Sequence, residues 1–187
     1  MKMLETLSLL SSLSKESQEQ LVDLITEHQY SKGHVLLNLW QIDREVHFIV
    51  KGSGRVYYLR NGQDITDYIA MDGQILGGVE SLFTQTPSNK AMELTEDSIV
   101  QSLNYQAFLK LCKKYRDLET LRAEIAIFAF LECQKRIESI RFLSASERYQ
   151  ELEKKYPGIS NRIPLKHLAS YLGTTQVSLS RIRSGIQ

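Results

Sequence analysis

The stretch FIVKGSGRVYYLRNGQDITDYIA, residues 48–70, decides the fold. It is rich in β-branched and aromatic residues and is interrupted at Gly52-Ser53-Gly54 and at Asn61-Gly62. Asn61-Gly62 separates Val56-Tyr57-Tyr58-Leu59-Arg60 from a second extended run, Ile65 to Ile69. Both turn residues tolerate positive φ, so the pair predicts a tight β-hairpin. Segments of the same character flank it: HVLLNLW at 34–40, EVHFIV at 45–50 and SIVQSL at 98–103, with Gly33 and Asp72-Gly73 as further turn signals. Short strands at close spacing, with no long helical pattern between Val35 and about Leu103, predict an antiparallel barrel or sandwich.

Outward from the strands the pattern turns helical. Residues 4–28 read as a helix, with Ser14 placed to cap a first turn and Leu21, Leu24 and Ile25 on one apolar face. After Asn104, Leu118, Leu121, Ile125 and Phe128 recur at helical spacing, and Ala126, Phe130, Cys133, Ile137 and Ile140 form a second stripe. One helix from about Asp117 to Phe142 carries both stripes and would reach roughly 39 Å at 1.5 Å per residue. One stripe can pack on the strands while the other meets a partner helix in a coiled-coil dimer. The competing arrangement buries both stripes within a monomer. The candidate dimer residues are Leu118, Leu121, Ile125 and Phe128. Ser144 and Glu147 then stand at capping-box spacing before a short helix that Pro157-Gly158 ends.

Residues 163–187, IPLKHLASYLGTTQVSLSRIRSGIQ, carry the functional signal. Pro164 suits a first helical turn, and Leu165, Leu168, Ala169 and Leu172 make an apolar stripe. Gly173 supplies a tight turn, Thr174 or Thr175 a second cap, and Val177, Leu179 and Ile182 the anchors of a second helix. This is helix-turn-helix spacing, which would set the second helix in the major groove of DNA. Gln176, Ser180 and Arg181 are the candidate base-reading residues, since Gln pairs with adenine and Arg with guanine. Lys166, Thr174, Thr175, Ser178 and Arg183 suit phosphate contacts. The charge distribution agrees with this reading. The 187 residues hold 23 Lys plus Arg and 22 Asp plus Glu. Residues 154–187 hold six of the cations (Lys154, Lys155, Arg162, Lys166, Arg181 and Arg183) and no acid, a +6 tail after a −5 body.

The layout resembles the Crp/Fnr superfamily of bacterial transcription regulators over nearly the whole chain. FIVKGSGRVYYLRNGQ (48–63) looks like that family's roll hairpins and AFLECQKRI (129–137) like its central helix. LSASERYQELEKKYPG (143–158), followed by IPLKHLASYLGTTQVSLSRIR, is similar to a branch abundant in Bacteroidetes. The resemblance implies an α+β chain in three parts. Residues 1–116 form a cyclic-nucleotide-binding-like antiparallel β-roll, a jelly-roll-like double-stranded β-helix. Residues 117–142 form a central dimerisation helix, and residues 143–187 a helix-turn-helix domain, where the chain is expected to depart from the family in having no wing after the second helix. It also implies a homodimer on palindromic double-stranded DNA, with RNA polymerase as a further candidate partner; operator position and polymerase contacts together decide between activation and repression.

Where cyclic-nucleotide binders place a Gly-Glu pair and then an Arg-Ser or Arg-Thr pair, this chain departs from the family. Gly78 stands at the glutamate position, and Asn89 and Lys90 at the second pair. The fork that Arg offers a phosphate and the acceptor for the ribose hydroxyl are both lost. Leu121 and Arg122 stand where small hydroxyl residues would face adenine. An effector pocket, if any, would draw on Gly77, Gly78, Glu80, Asn89, Lys90, Leu121 and Arg122. Lys90 and Arg122 suit a small anion, and an unliganded scaffold is the other reading; cyclic AMP is not the expected effector.

Other chemistry finds little support. Two Cys cannot form a four-cysteine cluster, and Cys112 and Cys133 read as buried or semi-buried fillers. His34 and His47 have no clustered carboxylates, His167 reads as solvent-facing, and Trp40 reads as core or hairpin packing. No cofactor, metal site or enzymatic motif is expected. No apolar run suits a membrane span, and MKMLETLSLLSSLSKES reads poorly as a secretory signal, so a cytoplasmic setting is expected. The alternative to a DNA reader is an effector-binding or protein-interaction module whose helix-turn-helix no longer reads DNA.

Overall fold

The computed structural model describes residues 2–77 and 80–185. Its strands are β1 (Ile25–Tyr30), β2 (Val35–Leu37), β3 (Glu45–Lys51), β4 (Gly54–Arg60), β5 (Gln63–Ala70), β6 (Gln74–Leu76), β7 (Lys90–Leu94) and β8 (Ser98–Asn104). They pair antiparallel in two sheets, ordered β1-β8-β3-β6 and β2-β7-β4-β5. This is the antiparallel strand architecture expected between Val35 and about Leu103, in the jelly-roll-like form that the resemblance implies. Its interior is filled from both sheets by Leu37, Ile49, Val56, Ala70, Leu76, Met92, Leu94 and Val100.

The deciding hairpin forms as its chemistry requires. Asn61 (φ 53°) and Gly62 (φ 75°) join β4 to β5, with Arg60 opposite Gln63. Two consecutive positive φ values make the turn that matches the twist of the strands. Further along, Val56 pairs with Tyr68 but Tyr57 with Thr66, so Asp67 is an extra residue on the edge strand β5. At Gly52 (φ 115°) a Cβ would lie 2.1 Å from Ser98 Oγ, so only glycine lets these two turns meet.

Two outer layers cover the roll. On one face, Phe48 and Leu103 pack against α1 (Met3–Leu10), α2 (Lys15–Leu24), α4 (Tyr105–Lys114) and the start of α5 (Arg116–Phe142). The single helix expected over 4–28 is instead α1, α2 and then β1. Ser14 does cap α2, accepting the Ser17 N–H at 3.2 Å. Ile25, however, leaves the helix to pair with Leu103, because ITEHQY finds a ladder on β8 that outweighs one more helical turn. Asp117 of α5 ties the layer together, accepting the Ser14 N–H (2.8 Å) and the Ser17 hydroxyl (2.7 Å).

The long helix is present, at 27 residues. Its first stripe is divided. Leu118 and Leu121, expected at a dimer interface, are fully buried in the chain's own core and have no surface left for a partner. Ile125 is half-buried, and from there the apolar residues open to solvent: Ile127, Phe128, Phe130, Leu131, Ile137 and Ile140 are all exposed. Trp40, expected in core or hairpin packing, and Cys133, expected buried or semi-buried, are also open to solvent. Trp40 is 73% exposed in the β2–β3 loop at φ 67°, and Cys133 is exposed on α5. Among the described residues no helix is long and apolar enough to cross a membrane.

On the other face, Ile69 and Met71 pack against α6 (Ala145–Lys155), α7 (Ile159–Arg162), α8 (Leu165–Tyr171) and α9 (Gln176–Arg183). The capping box forms: Ser144 Oγ accepts the Glu147 N–H (3.2 Å), and Glu147 Oε2 accepts the Ser144 N–H (2.7 Å). Ile159, Leu168 and Leu179 are fully buried here, each contributing roughly 1.5–3 kcal/mol.

Candidate nucleic-acid interface

α8 and α9 meet through a turn at Gly173 (φ 64°), with the Thr174 N–H donating back to Ala169 O at 2.9 Å. Pro164 sits just before α8, at its N-cap, rather than within its first turn. Thr175 caps α9: its Oγ1 accepts the Ser178 N–H at 3.1 Å and lies 2.8 Å from Ser178 Oγ. Leu179 is the buried anchor of α9, Ile182 is half-buried, and Val177, expected as an anchor, is 64% exposed. The 3.6-residue period explains this. With Leu179 turned inward, Val177 and Arg181, each two residues away, point outward, while Ser180 lies to one side and Gln176 and Arg183 flank the buried anchor; all are exposed.

The expected base-reading residues Gln176, Ser180 and Arg181 are all exposed on α9. Lys166 is exposed on α8, and among the described residues Lys166, Arg181 and Arg183 carry no ion pair. Thr174 and Ser178 are half-buried and Thr175 is exposed, with the Thr175 and Ser178 hydroxyls already engaged in the cap.

The module is joined to the roll by polar contacts that sequence reasoning missed. Ser170 Oγ on α8 accepts the Thr66 N–H of edge strand β5 at 2.9 Å. His167, expected to face solvent, is buried between α8 and the roll. Burial, with the Arg55 and Lys166 cations nearby, pushes its imidazole down to about 4, so it is neutral at pH 7. Arg55, 3% exposed, forks onto Glu93 (3.1 and 2.7 Å) and Asp64 (2.6 Å on one arm) and stacks on Tyr57. Gln74 Nε2 donates to Tyr156 Oη at 2.6 Å. Arg162 reaches three turns of the roll at once. It donates to Asp72 Oδ2 (2.5 Å), to Glu96 Oε1 (3.0 and 2.6 Å) and to Gly52 O (3.0 Å). From α5, Arg136 donates to Tyr171 O (2.9 Å) and lies over the Tyr171 ring.

The expected effector residues are not gathered into one cavity. Gly78 lies outside the described residues. Glu80 opens α3 (Glu80–Thr84) and is exposed, as is Asn89, while Gly77 follows β6 at φ 158°. Lys90 is paired with Asp67 at 2.7 Å, and Arg122 is paired with Glu119 on its own helix. Leu121 belongs to the outer helical core, not to the roll interior. A cavity of about 410 Å³ lies instead beside β2 and β3, lined by Leu36, Leu37, Gln41, Ile42, Asp43, Arg44, Glu45 and His47. A second, of about 520 Å³, lies between α4 and α5 and includes Arg122 alone of the expected set. Asp43 Oδ2 is buried with no hydrogen-bond partner among the described residues, and burial pushes this carboxyl up to about 6. His47 Nδ1 is 2.8 Å from Ser102 Oγ, and burial pushes its imidazole down to about 4.

Residues 27–115 match the family described as the cyclic nucleotide-binding domain. No curated protein sequence matches the chain. Among solved structures, FixK2 from Bradyrhizobium japonicum superposes with a TM-score of 0.71 at 20% identity, covering 87% of this chain and 84% of that one. A chain from Eubacterium rectale described as a transcriptional regulator of the crp/fnr family gives 0.70 at 18%, covering 94% and 84%. The Thermus thermophilus catabolite activator protein gives 0.58 at 18%, covering 97% and 86%. The chain therefore has the fold seen in Crp/Fnr-type transcription regulators, and its residues 27–115 are similar to the cyclic nucleotide-binding domain family.

Proposed function

We propose that this protein is a sequence-specific double-stranded-DNA-binding transcription regulator of the Crp/Fnr type, acting as a homodimer in the cytoplasm. The observation that carries the reading is the exposed surface of α9, where Gln176, Ser180, Arg181 and Arg183 are all open to solvent within an acid-free C-terminal segment. Gln176, Ser180 and Arg181 read base edges; Lys166, Thr174, Thr175, Ser178 and Arg183 position the module on phosphates. A single module of this size binds weakly, and two modules about one helical turn apart overcome this. The second module comes with a second copy of the chain, joined along the exposed half of α5, where Phe128, Phe130, Ile137 and Ile140 are unpartnered. The function is binding, without a catalysed reaction, and RNA polymerase is the partner through which it would act.

The roll takes an effector other than cyclic AMP, or none. Lys90 and Arg122, the cations suited to a small anion, are neutralised by Asp67 and Glu119. Selecting bound duplexes from a random library tests the proposal. It should yield a palindrome with half-sites about 10 base pairs apart, and added cyclic AMP should leave the affinity unchanged. Recovery of no consensus would sink the claim of sequence-specific reading.

A further inference from the structure

We infer that Arg162 is a positioning residue for the reading helix, acting by clamping three turns of the roll to the C-terminal module. The inference rests on the DNA-reading proposal above and adds the means by which the roll governs the reader. Arg162 ends α7, three residues before α8 begins at Leu165. Its guanidinium meets Asp72 after β5, Glu96 between β7 and β8, and the carbonyl of Gly52 between β3 and β4. Asp72 Oδ1 also accepts the Gly52 N–H at 2.8 Å, so two of the three turns are locked to each other beneath the clamp.

The apolar contact of Ile69 and Met71 with Leu168, Ala169 and Leu172 supplies adhesion, but such contact is non-directional. The planar fork of Arg162, satisfied at three separated points, fixes orientation. Orientation matters because two α9 helices must enter successive major-groove turns together. In the clamped pose the reading face of α9 is open, so the clamp presents the reader and does not hide it. The basic tail suggests that Arg162 is one more phosphate contact, but in the structure its charge is already spent on two carboxylates.

These two roles make opposite predictions for Glu96→Gln. Removing an acid raises the net positive charge, so simple electrostatics tightens DNA binding, whereas a lost clamp weakens specific binding. The experiment uses the full chain as wild type, Glu96→Gln and Arg162→Lys. Two quantities are measured: hydrogen exchange of the Thr66 amide, which reports docking of Ser170 without DNA, and affinity for the duplex selected by the wild type against a scrambled one. Both variants should exchange the Thr66 amide on the order of tenfold faster while Phe48 and Val100 amides stay protected. Specific affinity should fall on the order of tenfold, with scrambled-duplex affinity unchanged or slightly higher. Unchanged Thr66 protection overturns the clamp. Equal or tighter specific binding by Glu96→Gln overturns its positioning role. If the wild type prefers no duplex, the DNA-reading proposal fails and the positioning role with it, while Thr66 exchange still decides whether Arg162 holds the module to the roll.

Discussion

Replacing Asp43 by Asn removes a specific pH dependence of stability. Asp43 lies in the β2–β3 loop, 2% exposed, with Oδ1 accepting the Glu45 N–H at 3.3 Å and Oδ2 without a partner among the described residues. Burial raises its carboxyl from 3.8 to about 6. Below pH 3.8 both folded and unfolded chains hold the proton. Between there and pH 6 the unfolded chain releases it while the folded chain keeps it, so stability falls as pH rises. Above pH 6 both forms are ionised and the loss is complete. At 1.36 kcal/mol per unit, the rise from 3.8 to about 6 corresponds to about 3 kcal/mol. His47, lowered to about 4, works in the opposite sense on acidification, but it is common to both chains and cancels in their difference. Urea unfolding of wild type and Asp43→Asn, followed by circular dichroism from pH 3.5 to 7.5 at fixed protein concentration, isolates the effect. The stability of wild type minus that of the variant should drop by about 3 kcal/mol, mostly between pH 4 and 6. A flat difference, or one that grows with pH, refutes the reasoning, because it means the carboxylate has a partner when charged.

Other outcomes follow from the reading face and the cores. Arg181→Ala should cost about 1–3 kcal/mol on the selected duplex and relax preference at one position of the half-site, seen in competition binding. Lys166→Ala should weaken all duplexes alike and reduce the salt slope by about one. Ile137→Asp should shift sedimentation toward the monomer while leaving the melting of the roll unchanged, since Ile137 is 56% exposed within one chain. Leu179→Ala, at the fully buried anchor of α9, should destabilise the C-terminal module by about 2–5 kcal/mol, read as premature loss of its amide protection.

What was legible in the sequence was local chemistry. Asn61-Gly62 announces its hairpin because two adjacent positive φ values depend on those residues alone. The Ser144–Glu147 box and the Thr175 cap are equally local. Periodicity correctly showed that Leu118 and Leu121 face something apolar, but the pattern is the same whether the neighbour is a partner helix or the chain's own α1 and α4. Only the tertiary arrangement separates the two. Ile25 continued the apolar face of α2 yet was taken by a strand partner 78 positions away at Leu103. The link between reader and roll was invisible for the same reason. Arg162 stands 90 residues from Asp72 and 66 from Glu96, and nothing in its neighbourhood marks it off from the other basic residues of the tail. His167 looked like a solvated helix residue because its environment, Arg55 and Asp64, lies a hundred residues upstream.

The account turns on whether the exposed face of α9 reads sequence. The most direct measurement is the equilibrium affinity of the purified chain for its selected palindrome and for a scrambled duplex of equal length, at one stated salt concentration. The account predicts a preference on the order of 10³-fold or more for the palindrome. Equal affinities for the two duplexes would contradict it.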